Sequence, residues 1–239
     1  MENLSDSCSH INIAIVTAAG SGTRLMGDVK KQFRELCGIP IIIRTLGVFF
    51  ASPIISKIIV TAPEEDIEYC DLLIREYFAD TSKTWIVIPG GVERQDSIFG
   101  ALQNCPADTD YVFIHDAVRP FINQKLILDL YEAVQEYLAV VPAAPSKHTI
   151  KLVEGDAVLY TLDRKKIILA FTPQVFAYKL IQTAYERAYQ EGWNCTDDAS
   201  VVELSGGKVH YLISSDLNLK ITDENDLFFA RAIIEKQLF

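Results

Sequence analysis

Short runs of valine and isoleucine, recurring between segments of helical periodicity, restrict this chain's folding options more than any other feature. Ile11 to Ala18, Lys57 to Thr61, Trp85 to Ile88, Tyr111 to Ile114 and Leu138 to Ala143 each read as a strand. Runs apolar on both sides suit parallel strands covered by helices on both faces, because neither side meets water. Between them Ile67, Cys70, Ile74, Tyr77 and Phe78 recur at helical spacing, as do Ile127, Leu130, Tyr131, Val134 and Leu138. Strand and helix alternating in this way predict βαβ units with right-handed crossovers, hence an α/β fold with a mostly parallel sheet.

One stretch breaks the rhythm. Lys147 to Thr161 holds two β-prone runs around Glu154-Gly155-Asp156, the pattern of a hairpin. It follows the fifth strand, so it is expected to project from the sheet as an arm at about residues 146–165. A two-stranded hairpin is marginal in water by itself, which points either to a partner over it or to packing on its own domain. Beyond it the pattern predicts helices over about Tyr178 to Gln190 and Asp197 to Leu204, and a strand at Val209 to Ile213. A short extended piece at Leu219 to Thr222 then leads to a last helix opened by Thr222-Asp223-Glu224. Without repeats or a linker, residues 1–239 are expected to form a single domain with one excursion.

The 239 residues carry 22 Lys+Arg against 32 Asp+Glu, a formal net charge of −10. Nucleic acid and anionic membranes select basic surfaces, so neither is expected as a partner. An anionic small substrate stays open, since a few cations focused in one cleft outweigh the average. Ile39 to Ala51, the longest apolar stretch, is interrupted by Arg44 and is too short to span a bilayer. Cys8, Cys37, Cys70, Cys105 and Cys195 are odd in number and never spaced C-x-x-C, which suits free thiols in a reducing compartment. With no signal-peptide pattern at the start, a cytoplasmic protein is expected.

Chemistry concentrates after the strands. The first is followed by Thr17-Ala18-Ala19-Gly20-Ser21-Gly22-Thr23-Arg24, a small-residue loop whose backbone N–H groups can close on a phosphate. It is neither a P-loop, lacking Gly-Lys-Ser/Thr, nor a dinucleotide fingerprint, lacking the third glycine. The same residues also suit a plain, tight strand-to-helix connection; Arg24 and Lys31 add positive charge beside the loop. His115-Asp116-Ala117-Val118-Arg119-Pro120 follows the fourth run. There Asp116 offers a hard oxygen suited to Mg²⁺, or else a helix N-cap or a buried pair with Arg119, while His115 reads as a packed histidine. Gly90-Gly91-Val92-Glu93-Arg94-Gln95-Asp96-Ser97 would admit a flat base, with Arg94 and Ser97 to fix it. Asp163-Arg164, Thr172-Pro173-Gln174, Thr196-Asp197-Asp198-Ala199-Ser200 and Lys220 complete the candidates. Phosphate-binding loops, one metal carboxylate and several cations at one sheet edge point to phosphoryl or nucleotidyl transfer, where catalysis is mostly positioning and charge neutralisation.

Taken in order, these motifs, with Asn218-x-Lys220-x-Thr222, resemble the 2-C-methyl-D-erythritol 4-phosphate cytidylyltransferases from about Ile13 to the last helix. The resemblance implies a Rossmann-like nucleotidyltransferase fold and a homodimer joined through the β-arm. It also implies the reaction: CTP and methylerythritol phosphate give the CDP-linked alcohol and pyrophosphate, with Mg²⁺. By matching positions, Ala18, Ala19, Gly20, Ser21 and Gly22 would wrap the triphosphate, and Gly91 and Ser97 would recognise cytosine. Asp116 would hold the metal and Ala117 would lie near the ribose. Arg24 and Lys31 would neutralise the α-phosphate. Lys220 would hold the attacking phosphate, with Arg164 and Thr149 reaching from the other subunit's arm. Arg119, Thr172 and Thr196 would complete or support the sugar-alcohol pocket.

Two positions depart from the family pattern. Val92 stands where an acid often follows the paired glycines, and His148 where the arm usually carries Asp before its Thr. Base recognition at Val92 then falls to backbone groups. Ribitol-5-phosphate cytidylyltransferase shares the loop and the chemistry; Thr161-Leu162-Asp163-Arg164 and Thr196 to Ser200 favour the methylerythritol enzyme over it. A nucleotide-sensing scaffold without catalysis would be expected to lose Arg24, Lys31, Asp116 or Lys220, and all four are present.

Overall fold

The structure is a computed structural model that describes residues 10–20 and 29–239. Among these the first half of the chain runs β1 (Asn12–Thr17), β2 (Glu35–Leu36), β3 (Ile39–Pro40), α1 (Ile41–Ala51), β4 (Lys57–Ala62), α2 (Ile67–Tyr77), β5 (Thr84–Pro89), α3 (Arg94–Gln103) and β6 (Tyr111–Asp116). It continues through α4 (Gln124–Tyr137), β7 (Ala139–Pro145), β8 (Lys151–Glu154), β9 (Ala157–Thr161), β10 (Ile168–Ala170), β11 (Gln174–Ala177), α5 (Tyr178–Glu191), α6 (Asp198–Leu204), β12 (His210–Ile213) and α7 (Glu224–Glu235).

The large sheet has the order β10-β7-β11-β6-β1-β4-β5, with β12 lying parallel against β7. Its β6-β1-β4-β5 portion is parallel throughout. Because β1 lies between β4 and β6, the crossovers diverge there, and the crevice at such a point is where open α/β sheets hold ligands. Alternation along β1 sends Ala14 and Val16 to one face and Ile13 and Ile15 to the other, all four fully buried. The first pair joins a core with Phe49 of α1, Ile74 of α2 and Leu130 of α4. The second meets Ile98 of α3, Ile181 of α5 and Val201 of α6. Each such aliphatic side chain stabilises the fold by roughly 1.5–3 kcal/mol, which is why the apolar runs dictate the layers.

One expectation needs correction, and the structure adds what the residues left open. The run Trp85 to Ile88 forms a strand, but β5 is the sheet's last strand and only half-buried, having a neighbour on one side alone. The extended piece at Leu219 to Thr222 joins no ladder; it is tied by the Ile221 amide to the Val118 carbonyl at 2.9 Å. β7 does not neighbour β6, because β11 is inserted between them antiparallel to both. The stretch from Ile39 is the short strand β3 followed by α1, whose N-cap is Pro40 and whose inner side packs on the core. A proline suits that position because it has no amide hydrogen to leave unpaired.

The hairpin is as read: β8 and β9 pair antiparallel around the turn at Gly155. Every residue of both strands is exposed, and Leu152, Val153, Val158, Leu159 and Tyr160 are large apolar side chains among them.

Candidate active site

The loops after β1, β5 and β6 meet because the sheet's hydrogen bonding continues past the strand ends. The Ala18 amide donates to the Thr61 carbonyl at 2.8 Å, the Gly90 amide to Ala62 at 2.8 Å, and the Ala117 amide to Thr17 at 3.0 Å. A cavity of about 210 Å³ opens between them, lined by Ala18, Ala19, Gly20, Lys31, Gly91, Ser97, Asp116, Ala117 and Lys220 among others. These are nine of the residues singled out in the sequence, drawn from five separate segments. Ser21, Gly22 and Arg24 lie outside the described residues.

The paired glycines are required by contact. A Cβ on Gly90 would fall 2.1 Å from the Cβ of Ala19, and one on Gly91 2.1 Å from that of Asp96. Ser97 shapes this loop from within: its hydroxyl accepts from the Gly91 amide at 3.0 Å and donates to the Glu93 carbonyl at 3.2 Å. Val92 is 97% exposed at the rim of the cavity. On the β1 side, Gln32 is buried and donates to the Ala18 carbonyl at 2.7 Å, and Lys31 passes beside Gly20, its Cε 4.0 Å from where a Cβ there would sit.

A second cavity adjoins the first, lined by Arg94, Asp116, Arg119, Phe171, Thr172, Thr196 and Lys220 among others. Arg94, Asp116 and Lys220 belong to both. Arg94, expected from its place beside the paired glycines to help fix a base, is engaged by two carboxylates. Its guanidinium grips Asp198 of α6 at 3.1 and 2.7 Å and points Nε at Asp116, 3.4 Å away. Asp198 is fully buried and also accepts from Tyr185 at 2.6 Å. Gln174 fixes the start of α6, donating to Asp197 at 2.7 Å and accepting from the Ala199 amide at 2.9 Å. Asp197 caps that helix.

Asp116 is the hub. Oδ2 lies 3.0 Å from Arg119 Nε and 3.0 Å from Lys220 Nζ. Burial by itself would push this carboxyl up, but Arg94, Lys220 and Arg119 outweigh it and hold the group far below the usual carboxylate range. The buried pair with Arg119 is therefore real, and two further cations share the same carboxylate. Asp116 can still serve a metal. It borders both cavities, and Oδ1 has a long contact of 3.4 Å to Arg94, so it keeps acceptor capacity as a hard oxygen. Mg²⁺ is commonly held by one or two carboxylates, with phosphate oxygens and water completing the shell. No group of three or more His, Cys, Asp or Glu side chains suited to a metal ion occurs among the described residues.

His115 is packed, as expected: fully buried, edge-on to Phe49, and pushed down to about 4 by burial. The Thr172 hydroxyl is turned inward, toward His115 and the Asp116 amide. Thr149 and Arg164, at the two ends of the hairpin, are exposed and line neither cavity within one chain. Sequence reading gave no part to Asp198, Tyr185 or Gln32. Asp198 lay inside a recognised motif and Gln32 beside Lys31, whereas Tyr185 carried no signal beyond helical spacing.

Comparison with known proteins covers the same chain. Residues 12–236 match the family model for 2-C-methyl-D-erythritol 4-phosphate cytidylyltransferase. The protein of that name from Geotalea uraniireducens is 41% identical over 224 residues, spanning 93% of this chain and 96% of its own. The crystal structure of 4-diphosphocytidyl-2C-methyl-D-erythritol synthase from Anaerococcus prevotii superimposes with a TM-score of 0.84 at 29% identity, covering 95% of this chain and 99% of that one. The cytidylyltransferase structure from Francisella tularensis gives 0.79 at 30%, covering 93% and 99%. The nucleotidyltransferase fold is shared with both.

Proposed function

Because the chain belongs to the 2-C-methyl-D-erythritol 4-phosphate cytidylyltransferase family, and so transfers the cytidylyl group of CTP to methylerythritol phosphate with release of pyrophosphate, we propose that its two adjoining cavities divide that labour. The family and the relatives lend no support to ribitol 5-phosphate as the acceptor. The first cavity takes CTP: base against Gly91 and the loop braced by Ser97, ribose near Ala117, triphosphate along Ala18 to Gly20. The second takes the acceptor, between Arg119, Thr196 and the backbone that Thr172 supports. The observation that carries this reading is the common wall: Arg94, Asp116 and Lys220 line both spaces.

The chemistry is a problem of charge. The acceptor's phosphate must approach the α-phosphorus of a polyanion, and two unit charges ~4 Å apart repel by roughly 4 kcal/mol at an effective dielectric of 20. Lys31 enters from the β1 side and Lys220 from the wall between the cavities, so positive charge stands where the anions meet. Even with Arg94 set against Asp198, Arg119 and Lys220 outnumber Asp116. Arg24, outside the described residues, would add to the first cavity. Lys220 orients the acceptor phosphate for in-line attack. No general base is required, since a phosphate monoester is mostly dianionic at neutral pH. Asp116 would hold Mg²⁺, which when bound neutralises phosphate charge and helps the pyrophosphate to leave.

The reading includes a homodimer. A hairpin apolar on both exposed faces fits a surface that a second subunit covers, and Thr149 and Arg164 would then enter the partner's acceptor cavity. Mixing Lys31→Ala with Arg164→Ala protein tests this directly. Each homodimer lacks one group at both sites, while a mixed dimer has one intact site, so partial recovery of pyrophosphate release is expected. No recovery would place Arg164 within its own chain's site or outside catalysis.

A further inference from the structure

We propose that His115 is a positioning residue for the cytidylyl transfer, holding Asp116 and Arg119 at a fixed separation and so locking the two cavities in register. This rests on the division of the cavities set out above.

The argument begins with which atoms can donate. The Arg119 carbonyl only accepts, so the His115 nitrogen facing it at 3.0 Å, Nε2, must carry the hydrogen. Nδ1 is then the acceptor edge of the ring and takes the Thr172 hydroxyl at 2.8 Å. With its proton so committed, the Thr172 oxygen presents a lone pair to the Asp116 amide, 3.2 Å away. The circuit closes elsewhere. Arg119 Nε donates to Asp116 Oδ2 at 3.0 Å, its Nη1 to the Asn218 carbonyl at 2.8 Å, and Asn218 Nδ2 to the Thr172 carbonyl at 2.7 Å.

Packing alone does not call for an imidazole here. The ring is fully buried and lies edge-on to Phe49 at 5.4 Å between centroids, a place that an aromatic hydrocarbon would fill. What the imidazole adds is a donor on one edge and an acceptor on the other. Each reaches a different segment: the β6 turn that bears Arg119, and the strand-entry loop at Thr172 that supports Asp116. A relay in which each proton has one place to go has one low-energy arrangement, so the carboxylate in the common wall and the guanidinium in the acceptor cavity cannot drift independently.

His115→Phe keeps the ring and removes both bonds, and Thr172→Val removes the hydroxyl at nearly constant volume. In folded protein at 20 °C, His115→Phe is expected to raise KM for methylerythritol phosphate about tenfold and to lower kcat about tenfold, as small misplacements of positioned groups do. KM for CTP should move less than about threefold, because the base and phosphate loops are not part of the circuit. Adding Thr172→Val to His115→Phe should cost little more, since both substitutions cut the same relay. A lowered Tm with all three kinetic constants unchanged would overturn the proposal, as would full multiplication of the two effects.

Should His115→Phe fail to fold, the triple variant His10→Gln, His148→Gln, His210→Gln leaves His115 as the sole histidine for ¹⁵N spectroscopy. The Nε2–H tautomer is expected; an Nδ1–H ring could not donate to Arg119 and would refute the relay. Arg119→Lys keeps the two readings apart. If it leaves the acceptor KM unchanged, the division of the cavities fails, whatever the histidine variants show.

Discussion

Arg94 and Asp198, 104 residues apart in the chain, are joined by two parallel hydrogen bonds of 3.1 and 2.7 Å, and the carboxylate is fully buried. Burial alone would lower the guanidinium's affinity for its proton, but Asp198 and Asp116 raise it, so the pair stays ionised. Removing Asp198 leaves the partly exposed Arg94 guanidinium with only its long contact to Asp116, and leaves the Tyr185 hydroxyl without its acceptor. Asp198→Ala is therefore expected to cost about 1–3 kcal/mol of unfolding free energy. Urea denaturation checks this, and a loss below ~1 kcal/mol would mean that water or Asp116 takes over the role of Asp198.

The close approach of the two loops makes a sharper prediction at Gly90. A methyl group there would fall 2.1 Å from the Ala19 Cβ, so the β1 and β5 loops must separate. Gly90→Ala should weaken CTP binding at least tenfold by isothermal titration, given how steeply function depends on loop placement. Unchanged affinity would show that the nucleotide does not bind between these loops.

Along the hairpin, Val158, Leu159 and Tyr160 are each more than half exposed. The double substitution Val158→Asp and Tyr160→Asp should convert a dimer into monomers in sedimentation velocity, with the far-ultraviolet spectrum preserved. A dimer that survives both charges would have its interface elsewhere.

Thiol reactivity follows from burial. Cys70 and Cys105 are both pushed up to about 12, first by loss of solvent. At pH 8 the thiolate is then on the order of one in ten thousand, and raising the pH to 9 still leaves the neutral form dominant. A disulfide reagent should modify exposed Cys37 in the native protein, and Cys70 and Cys105 only after denaturation. Peptide mapping of the labelled sites would show a different order if either Cys70 or Cys105 opens readily.

What could be read from the residues depended on how local the cause was. β1, β4 and β6 were legible because each is buried on both faces, so consecutive positions such as Ile13 to Val16, Ile58 to Val60 and Val112 to Ile114 are apolar whatever their neighbours. β11 was not: four residues after a Thr-Pro pair look like a loop, and only β6 and β7 on either side make them a strand. The same holds within the site. Asp116, Lys31 and Lys220 could be picked out because charged residues beside strand ends or within motifs have few structural uses. That Arg94 would turn from the paired glycines to Asp198 could not, since the partner lies on another helix and no spacing records it. Tyr185 was hidden more completely, being an ordinary core residue of α5 in every respect but its hydroxyl.

The account stands on cations gathered at the wall between two anion-binding spaces; of the two cations that both spaces share, Arg94 is set against Asp198, and Lys220 is held by Asp116. Rapid-quench measurement of pyrophosphate formation in Lys220→Ala, with CTP and methylerythritol phosphate both saturating, isolates the chemical step. The rate should fall by ~10²–10³, the usual effect of removing one group that meets developing charge, while CTP affinity stays within about threefold. A chemical rate equal to that of the unaltered enzyme would contradict the account.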